Sequence, residues 1–131
     1  MTCSIDSENE RLISAPLLIT CLCAQWCGVC NQFRPMFEQL SAKYPQLRFA
    51  WVDVEDREDI MDDVDVETFP TVMLSKAREA LFLGPVLPQI GVLQRMVDSA
   101  LAQAAPAALK DESAQALLAR LLGAKGVELV F

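Results

Sequence analysis

An apolar stretch, two closely spaced cysteines and an amphipathic pattern follow one another in the first third of the chain, and this succession most constrains the fold. Leu17–Cys23 is short and nearly all apolar, which is typical of a central strand covered on both faces of its sheet. From Cys27 to about Tyr44, apolar residues recur at helical spacing, with Pro35 inside the pattern and Pro45 after it. The sequence therefore predicts a buried strand that leads into a helix kinked at Pro35.

Further elements follow from the same periodicities. Helices are predicted over Ser4–Ala15, Asp56–Val64, Pro88–Ala104 and Asp111–Leu122, and strands over Leu47–Val54, Thr71–Leu74, Ala80–Leu83 and Val127–Phe131. Strands that alternate with helices, followed by a hairpin and a last helix, predict an α/β domain of three layers with a mixed sheet. Composition changes after Pro106, so we interpret residues 1–105 as the domain and residues 106–131 as a C-terminal extension, packed on it or trailing from it.

Composition excludes several classes of function. The 131 residues are 53% hydrophobic and 22% charged, which is enough for one compact core. A net charge of -7 argues against a nucleic-acid partner, because phosphate backbones are bound by clustered Lys and Arg. The chain has no histidine, which removes Ser/His and Cys/His nucleophiles and histidine-containing metal sites. Chemistry must therefore come from sulfur or carboxylates.

The N-terminal region predicts a cytoplasmic protein without a membrane partner. Leu17–Ala24 is the longest apolar stretch near the start, and it is far shorter than the roughly 20 residues that cross a bilayer. Asp6, Glu8 and Glu10 precede it against a single Arg11, whereas a secretory leader begins with basic residues. The prediction holds unless a leader has already been removed.

Four of the five cysteines fall within ten residues, and only Cys3 lies apart. An odd number of cysteines, most of them clustered, indicates redox chemistry or metal binding and not a framework of structural disulfides. At the start of the predicted helix, free N–H groups and the positive end of the helix dipole stabilise a thiolate on Cys27, the expected nucleophile. Cys30, one turn later and more buried, is close enough to form a disulfide with Cys27 and to release a substrate from a mixed disulfide.

Three positioned motifs together resemble the thioredoxin family over about residues 10 to 104. They are Trp26-Cys27-Gly28-Val29-Cys30, the proline at position 35, and Thr68-Phe69-Pro70-Thr71 before a strand, with Gly84 as a further match. The resemblance implies a thioredoxin fold in which the peptide bond before Pro70 is cis and faces the sulfurs. Cys27 would then attack a substrate disulfide and Cys30 would resolve the mixed disulfide.

The resemblance implies a protein-disulfide oxidoreductase active in thiol-disulfide electron transport, with no cofactor and no metal. Its partners would be a disulfide-containing protein substrate and a thioredoxin-reductase-type or other dithiol reductant. The expected substrate-binding residues surround the cysteines and the cis-proline: Trp26, Gly28, Val29, Phe69 and Pro70.

This chain departs from the family pattern at positions that matter for catalysis. Cys21 stands where thioredoxins have a buried aspartate, and Trp51 stands where they have its partner lysine. The absence of both members together is physically reasonable, because one buried charge without its partner would destabilise the folded state. Val29 replaces the usual proline, so the redox potential need not match that of thioredoxin. The alternative function is therefore a thioredoxin-fold binding or chaperone module with weak or vestigial redox activity.

Cys21 and Cys23 lie two apart on the predicted strand and so point to one face. One interpretation is that both are small buried apolar residues. The other is that they join Cys27 and Cys30 in a four-thiolate Zn or Fe-S site. The strand would hold Cys21 below Cys27, which caps the helix, so the four sulfurs could hardly converge on one metal ion. No metal is therefore expected.

Two further features leave alternatives open. Asp53–Glu67 holds nine acids and one base, Arg57, and is either a solvated surface or a docking patch for a basic partner. Thioredoxins usually begin with a strand beside the one that corresponds to Leu47–Val54, but the acidic first fifteen residues fit a helix. The tail strand Val127–Phe131 either covers the edge left open there or frays.

Overall fold

The computed structural model describes residues 12–103 and 107–130. Most of the helix predicted over Ser4–Ala15 therefore lies outside the described residues, although Leu12–Ser14 is helical. No helix in the described ranges is both long enough and apolar enough to cross a membrane.

After the helical residues Leu12–Ser14, five strands and four helices follow one another along the described chain. In order, they are β1 (Leu18–Cys23), α1 (Gly28–Ala42), β2 (Arg48–Asp53), α2 (Glu58–Met61), β3 (Thr71–Lys76), β4 (Glu79–Pro85), α3 (Ile90–Ala102), α4 (Glu112–Gly123) and β5 (Glu128–Val130). The strands form one sheet in the order β4-β3-β1-β2-β5. Only β1 and β2 run parallel, and the other neighbours are antiparallel. The predicted α/β fold with a mixed sheet and a hairpin is confirmed.

The two faces of the sheet carry two apolar clusters, which share β1. Ile19, Cys21 and Cys23 point to the face covered by α1 and α3, whereas Leu18 and Leu22 point to the face covered by α4. All six residues of β1 are buried. This double burial explains why the strand is a nearly continuous apolar run.

The C-terminal segment completes the sheet. β5 pairs antiparallel with β2, with Phe49 opposite Val130 and Trp51 opposite Glu128. The docked strand predicted as one alternative is confirmed over β5, and Phe131 lies outside the described residues. Backbone groups of β2 that would otherwise face solvent are paired in this way.

Two local predictions were wrong in their bounds. Helix α2 spans only Glu58–Met61, because Asp62 adopts a positive φ of 51°, which lies outside the right-handed helical region. Both hairpin strands are longer than the predicted Thr71–Leu74 and Ala80–Leu83, since Lys76 and Glu79 already pair as strand residues. Ala77, in the remaining turn, has a φ of 53°.

Gln115 of α4 is hydrogen-bonded to the backbone of edge strand β4. Its side-chain oxygen accepts the N–H of Ala80 at 2.8 Å, and its amide nitrogen donates to the carbonyls of Ala80 at 3.0 Å and Leu109 at 2.8 Å. Ala80 is fully buried, so these backbone groups have no access to bulk water. Gln115 thereby satisfies part of the unpaired side of β4.

We predict that Gln115→Ala lowers the free energy of unfolding by about 1–3 kcal/mol, because it leaves a buried N–H of Ala80 without its acceptor. Urea denaturation measures the change. Gln39→Ala, at an exposed position of α1, is the matched control and should change stability by less than about 0.5 kcal/mol. Equal unfolding midpoints for the two variants would contradict the assigned role of Gln115.

Candidate functional site

Cys27 lies at the junction between β1 and α1. It is the N-cap residue of α1, with φ -84° and ψ 116°, and no side chain caps the helix there. The thiol is free and partly exposed. Cys27 is therefore held next to the unsatisfied first-turn N–H groups of the helix, where an anion is stabilised.

Cys30 is bonded to a different partner from the one that the motif predicts. The structure contains a disulfide between Cys23 and Cys30, whose Cα atoms are 5.8 Å apart, and Cys27 is left free. Both bonded residues are 1% exposed. Cys23 thus reaches the site from the end of β1, and its interpretation as a small apolar core residue is incomplete.

Cys21 is the other free thiol of the cluster. It is completely buried, and its Sγ lies 3.6 Å from Sγ of Cys23. Burial raises the pKa of the Cys21 thiol well above its usual value, and the charge of Arg34 only partly opposes this rise. Cys21 therefore keeps its proton near neutral pH and cannot take the place of a general base.

An aromatic pair lies beside the cysteines. Trp26 is 66% exposed, and its ring meets that of Phe69 edge to face, with 5.7 Å between the centroids. The Phe69–Pro70 peptide bond is cis, as the resemblance implied. Val29 is also exposed, whereas Phe69 is partly buried and Pro70 is buried. Trp26 and Val29 are therefore the apolar side chains of the predicted site that are most accessible from solvent.

Arg34, to which no sequence motif pointed, lies close to Trp51 and Cys21, the positions where thioredoxins have a buried charged pair. Cζ of Arg34 is 5.0 Å from the ring centroid of Trp51, and Trp51 is the β2 neighbour of Cys21. The guanidinium donates to Glu38 at 3.2 Å and also to Glu128. The cation therefore lies at the surface, over the indole, and not in the core.

The same group borders a cleft of about 300 Å³. Its lining consists of Ala24, Gln25, Asn31, Arg34, Trp51, Asp53, Asp56 and Glu128. Ala24 and Asn31 are the chain neighbours of Cys23 and Cys30. The cleft thus places carboxylates on the same surface as the chain neighbours of the two bonded cysteines, a feature that needs the contact between β2 and β5 and that no local motif predicts.

The acidic segment is a solvated surface next to this region. Its acids are exposed except for Asp53, which is partly buried. Arg57 donates to Asp59 and to the carbonyls of Lys125 and Gly126. Its guanidinium therefore ties the segment to the loop before β5.

Within residues 12–103 and 107–130, no group of three or more Cys, Asp or Glu side chains is arranged to hold a metal ion. Cys21 and Cys27 remain as thiols, and the other two sulfurs are in a disulfide. The described geometry thus offers thiol chemistry at this site.

Comparison with known proteins relates this geometry to one family. The family model described as Thioredoxin matches residues 4–82. Human thioredoxin is 37% identical over 73 residues, which cover 56% of this chain and 65% of the human protein. The H-type thioredoxin of Picea mariana is 34% identical over 74 residues, which cover 56% of this chain and 55% of that protein. The matches thus span less than two thirds of either relative.

Solved structures are similar over a larger share of the chain. Thioredoxin from Fasciola hepatica has a TM-score of 0.61 at 26% identity, covering 70% of this chain and 85% of the parasite protein. Oxidised thioredoxin from Plasmodium falciparum has a TM-score of 0.60 at 22% identity, covering 74% of this chain and 93% of that one. The second likeness shows the fold alone.

We predict that iodoacetamide labels Cys27 first when the reduced, folded protein is treated briefly near neutral pH. Its thiol is the accessible one at the helix terminus, whereas Cys21 keeps its proton and should react only after unfolding. Fragment-ion sequencing of the alkylated peptides measures the order. Preferential labelling of Cys30 or Cys3 would show that the nucleophile is wrongly assigned.

Proposed function

Because the chain belongs to the thioredoxin family, we propose that it is a thiol-disulfide oxidoreductase that reduces or exchanges disulfides in protein substrates. The observation that carries this proposal is the free, partly exposed Cys27 at the start of α1. A nucleophilic thiolate needs access to its substrate and stabilisation of its charge, and this position provides both.

The proposed reaction has two exchange steps. The Cys27 thiolate attacks one sulfur of the substrate disulfide, forms a mixed disulfide, and the other substrate sulfur leaves as a thiolate. Cys30, in its reduced form, then loses its proton and attacks Sγ of Cys27, forming a Cys27–Cys30 disulfide and releasing the second substrate thiol. Since Cys30 is bonded to Cys23 in the structure, a dithiol reductant must first open that bond.

The substrate would bind across the exposed residues around Cys27. Trp26 and Phe69 supply aromatic surface. A Cβ added at Gly28 would meet no atom within 4 Å, so there is open space there for a substrate segment to approach. We expect Pro70 to present its neighbouring backbone to an extended substrate segment, with Val29 at the apolar rim.

Charge favours a basic substrate. A cleft of about 290 Å³ next to the cis-proline is lined by Asp65, Val66, Glu67, Thr68, Thr71, Gly84 and Pro85. Both carboxylates in it are exposed, and they continue the acidic segment. Acidic groups next to the cis-proline would attract Lys- or Arg-rich partners to this part of the surface.

Proton transfer from Cys30 needs a group other than Cys21, which keeps its proton. Asp53 is the parallel-strand neighbour of Cys23 and lines the 300 Å³ cleft together with Asp56 and Glu128. We propose that water in this cleft, next to these carboxylates, accepts the proton.

The predicted reductase-type reductant and cytoplasmic location stay predictions.

The disulfide of Cys30 favours a second candidate function. While Cys30 is bonded to Cys23, a mixed disulfide at Cys27 has no resolving thiol. A protein that is not reduced would then bind a partner through Trp26, Phe69 and the acidic surface, as a binding or chaperone module with vestigial redox activity.

An insulin-reduction assay with dithiothreitol distinguishes the two functions. We expect the wild-type chain to accelerate reduction above the dithiothreitol background, and we expect Cys27→Ser to lose this acceleration entirely, because the hydroxyl cannot form a mixed disulfide.

Cys3→Ser is the matched control, since it makes the same replacement outside the motif, and it should retain the wild-type rate. No acceleration by the wild-type chain, together with suppression of aggregation of an unfolded basic protein, would favour the binding module.

A further inference from the structure

We propose that Cys23 is a second resolving thiol, which takes Cys30 away from Cys27 and stores the oxidising equivalents in a buried disulfide. The proposal rests on the proposed function, because it begins from the Cys27–Cys30 disulfide. Its product is the state in the structure, with Cys23 bonded to Cys30 and Cys27 free.

Cys30 is within reach of both partners. Residues three apart at a helix start have Cα atoms about 5 Å apart, and the Cα atoms of Cys23 and Cys30 are 5.8 Å apart. Both separations fall in the range that disulfides span. The Cα separations therefore permit Cys30 to bond to either partner.

The exchange is balanced and needs no external oxidant. The sulfur of Cys23 loses its proton and attacks Sγ of Cys30, forming the Cys23–Cys30 bond. The Cys27–Cys30 bond breaks, and the sulfur of Cys27 leaves as a thiolate. One disulfide and one thiol are present before and after, and the proton ends on Cys27 or in solvent.

Burial and charge give this exchange its direction. A thiolate on Cys23 would be enclosed among apolar side chains, whereas a thiolate on Cys27 lies at a partly exposed helix N-terminus. Transfer therefore moves the neutral, apolar disulfide into the core and returns the charge to the position that stabilises it.

Cys21 does not take part in the exchange, although its sulfur is 3.6 Å from that of Cys23. Cys21 remains a free thiol, whereas Cys23 is bonded to Cys30. It is as buried as Cys23 and lies on the same face of β1. It therefore provides a matched control.

The proposed transfer gives the oxidised protein a property that a two-cysteine site lacks. Cys27 becomes free again without any reductant and can attack a second disulfide. Cys30 is then occupied, so this second mixed disulfide persists. The protein would reduce one substrate and then hold the next one covalently until a dithiol reductant opens the Cys23–Cys30 bond.

Excess oxidised glutathione tests the proposal in the full-length Cys3→Ser chain, which lacks the cysteine outside the cluster. The reduced protein, freed of reductant, should consume two molecules of oxidised glutathione and release three of reduced glutathione. It should retain one glutathione on Cys27 and a Cys23–Cys30 disulfide. Intact mass after acid quench gives the adduct, and fragment ions of the tryptic peptide Leu12–Lys43 locate it, since Pro35 protects Arg34 from cleavage.

Adding Cys23→Ala should reduce the glutathione adduct at least about tenfold, because oxidation then ends at Cys27–Cys30. Adding Cys21→Ala should leave the adduct unchanged. Cys23→Ser serves as a second variant if the alanine variant does not fold. Mapping the disulfide and the adduct in the Cys3→Ser chain tests the transfer even without a Cys23 variant.

A Cys27–Cys30 disulfide with no adduct in the Cys3→Ser chain would overturn the transfer. An equal adduct with and without Cys23 would also overturn it, because Cys30 would then not resolve Cys27. Insulin turnover distinguishes failure of the transfer from failure of the proposed function. Cys27-dependent turnover without an adduct rejects only the transfer, whereas absence of Cys27-dependent turnover rejects the proposed function.

Discussion

The complete burial of β1 is the constraint on which the rest of the structure depends. The strand is hydrogen-bonded to β2 on one side and to β3 on the other. Its side chains alternate between the cluster under α1 and α3 and the cluster under α4. An element displaced from β1 would expose apolar surface on one face of the sheet or leave backbone groups unpaired at its edge.

The same alternation couples the core to the site. Because side chains on a strand repeat every two residues, Cys21 and Cys23 both point under α1, and α1 begins beside Cys27. A thiol is small and apolar enough for the core, but it retains the ability to form a disulfide. Cys23 can therefore meet the packing requirement of the strand and also bond to Cys30.

Periodicity predicts elements that bury one face, such as β1 and α1, and the unpaired edge of β2 explains why β5 could be anticipated. The partner of Cys30 could not be predicted in the same way. The spacing from Cys27 to Cys30 lies within one helical turn, whereas the distance from Cys23 depends on how α1 lies over β1. Arg34 and Glu128 are likewise brought together from positions 94 residues apart, and no local pattern records that contact.

The positions at which thioredoxins have a buried aspartate and its partner lysine hold an uncharged thiol and an indole here, which also changes where the site keeps its charge. A carboxylate at position 21 would need a cation in the core, but the β2 neighbour there is Trp51. The cation at this level of the structure is Arg34, which lies over the face of that indole and donates to Glu38 and Glu128. Since these groups are partly exposed, water stabilises them and the core needs no compensating charge. Glu128 belongs to β5, so the strand that closes the edge of the sheet also lines the cleft that holds Arg34, Asp53 and Asp56.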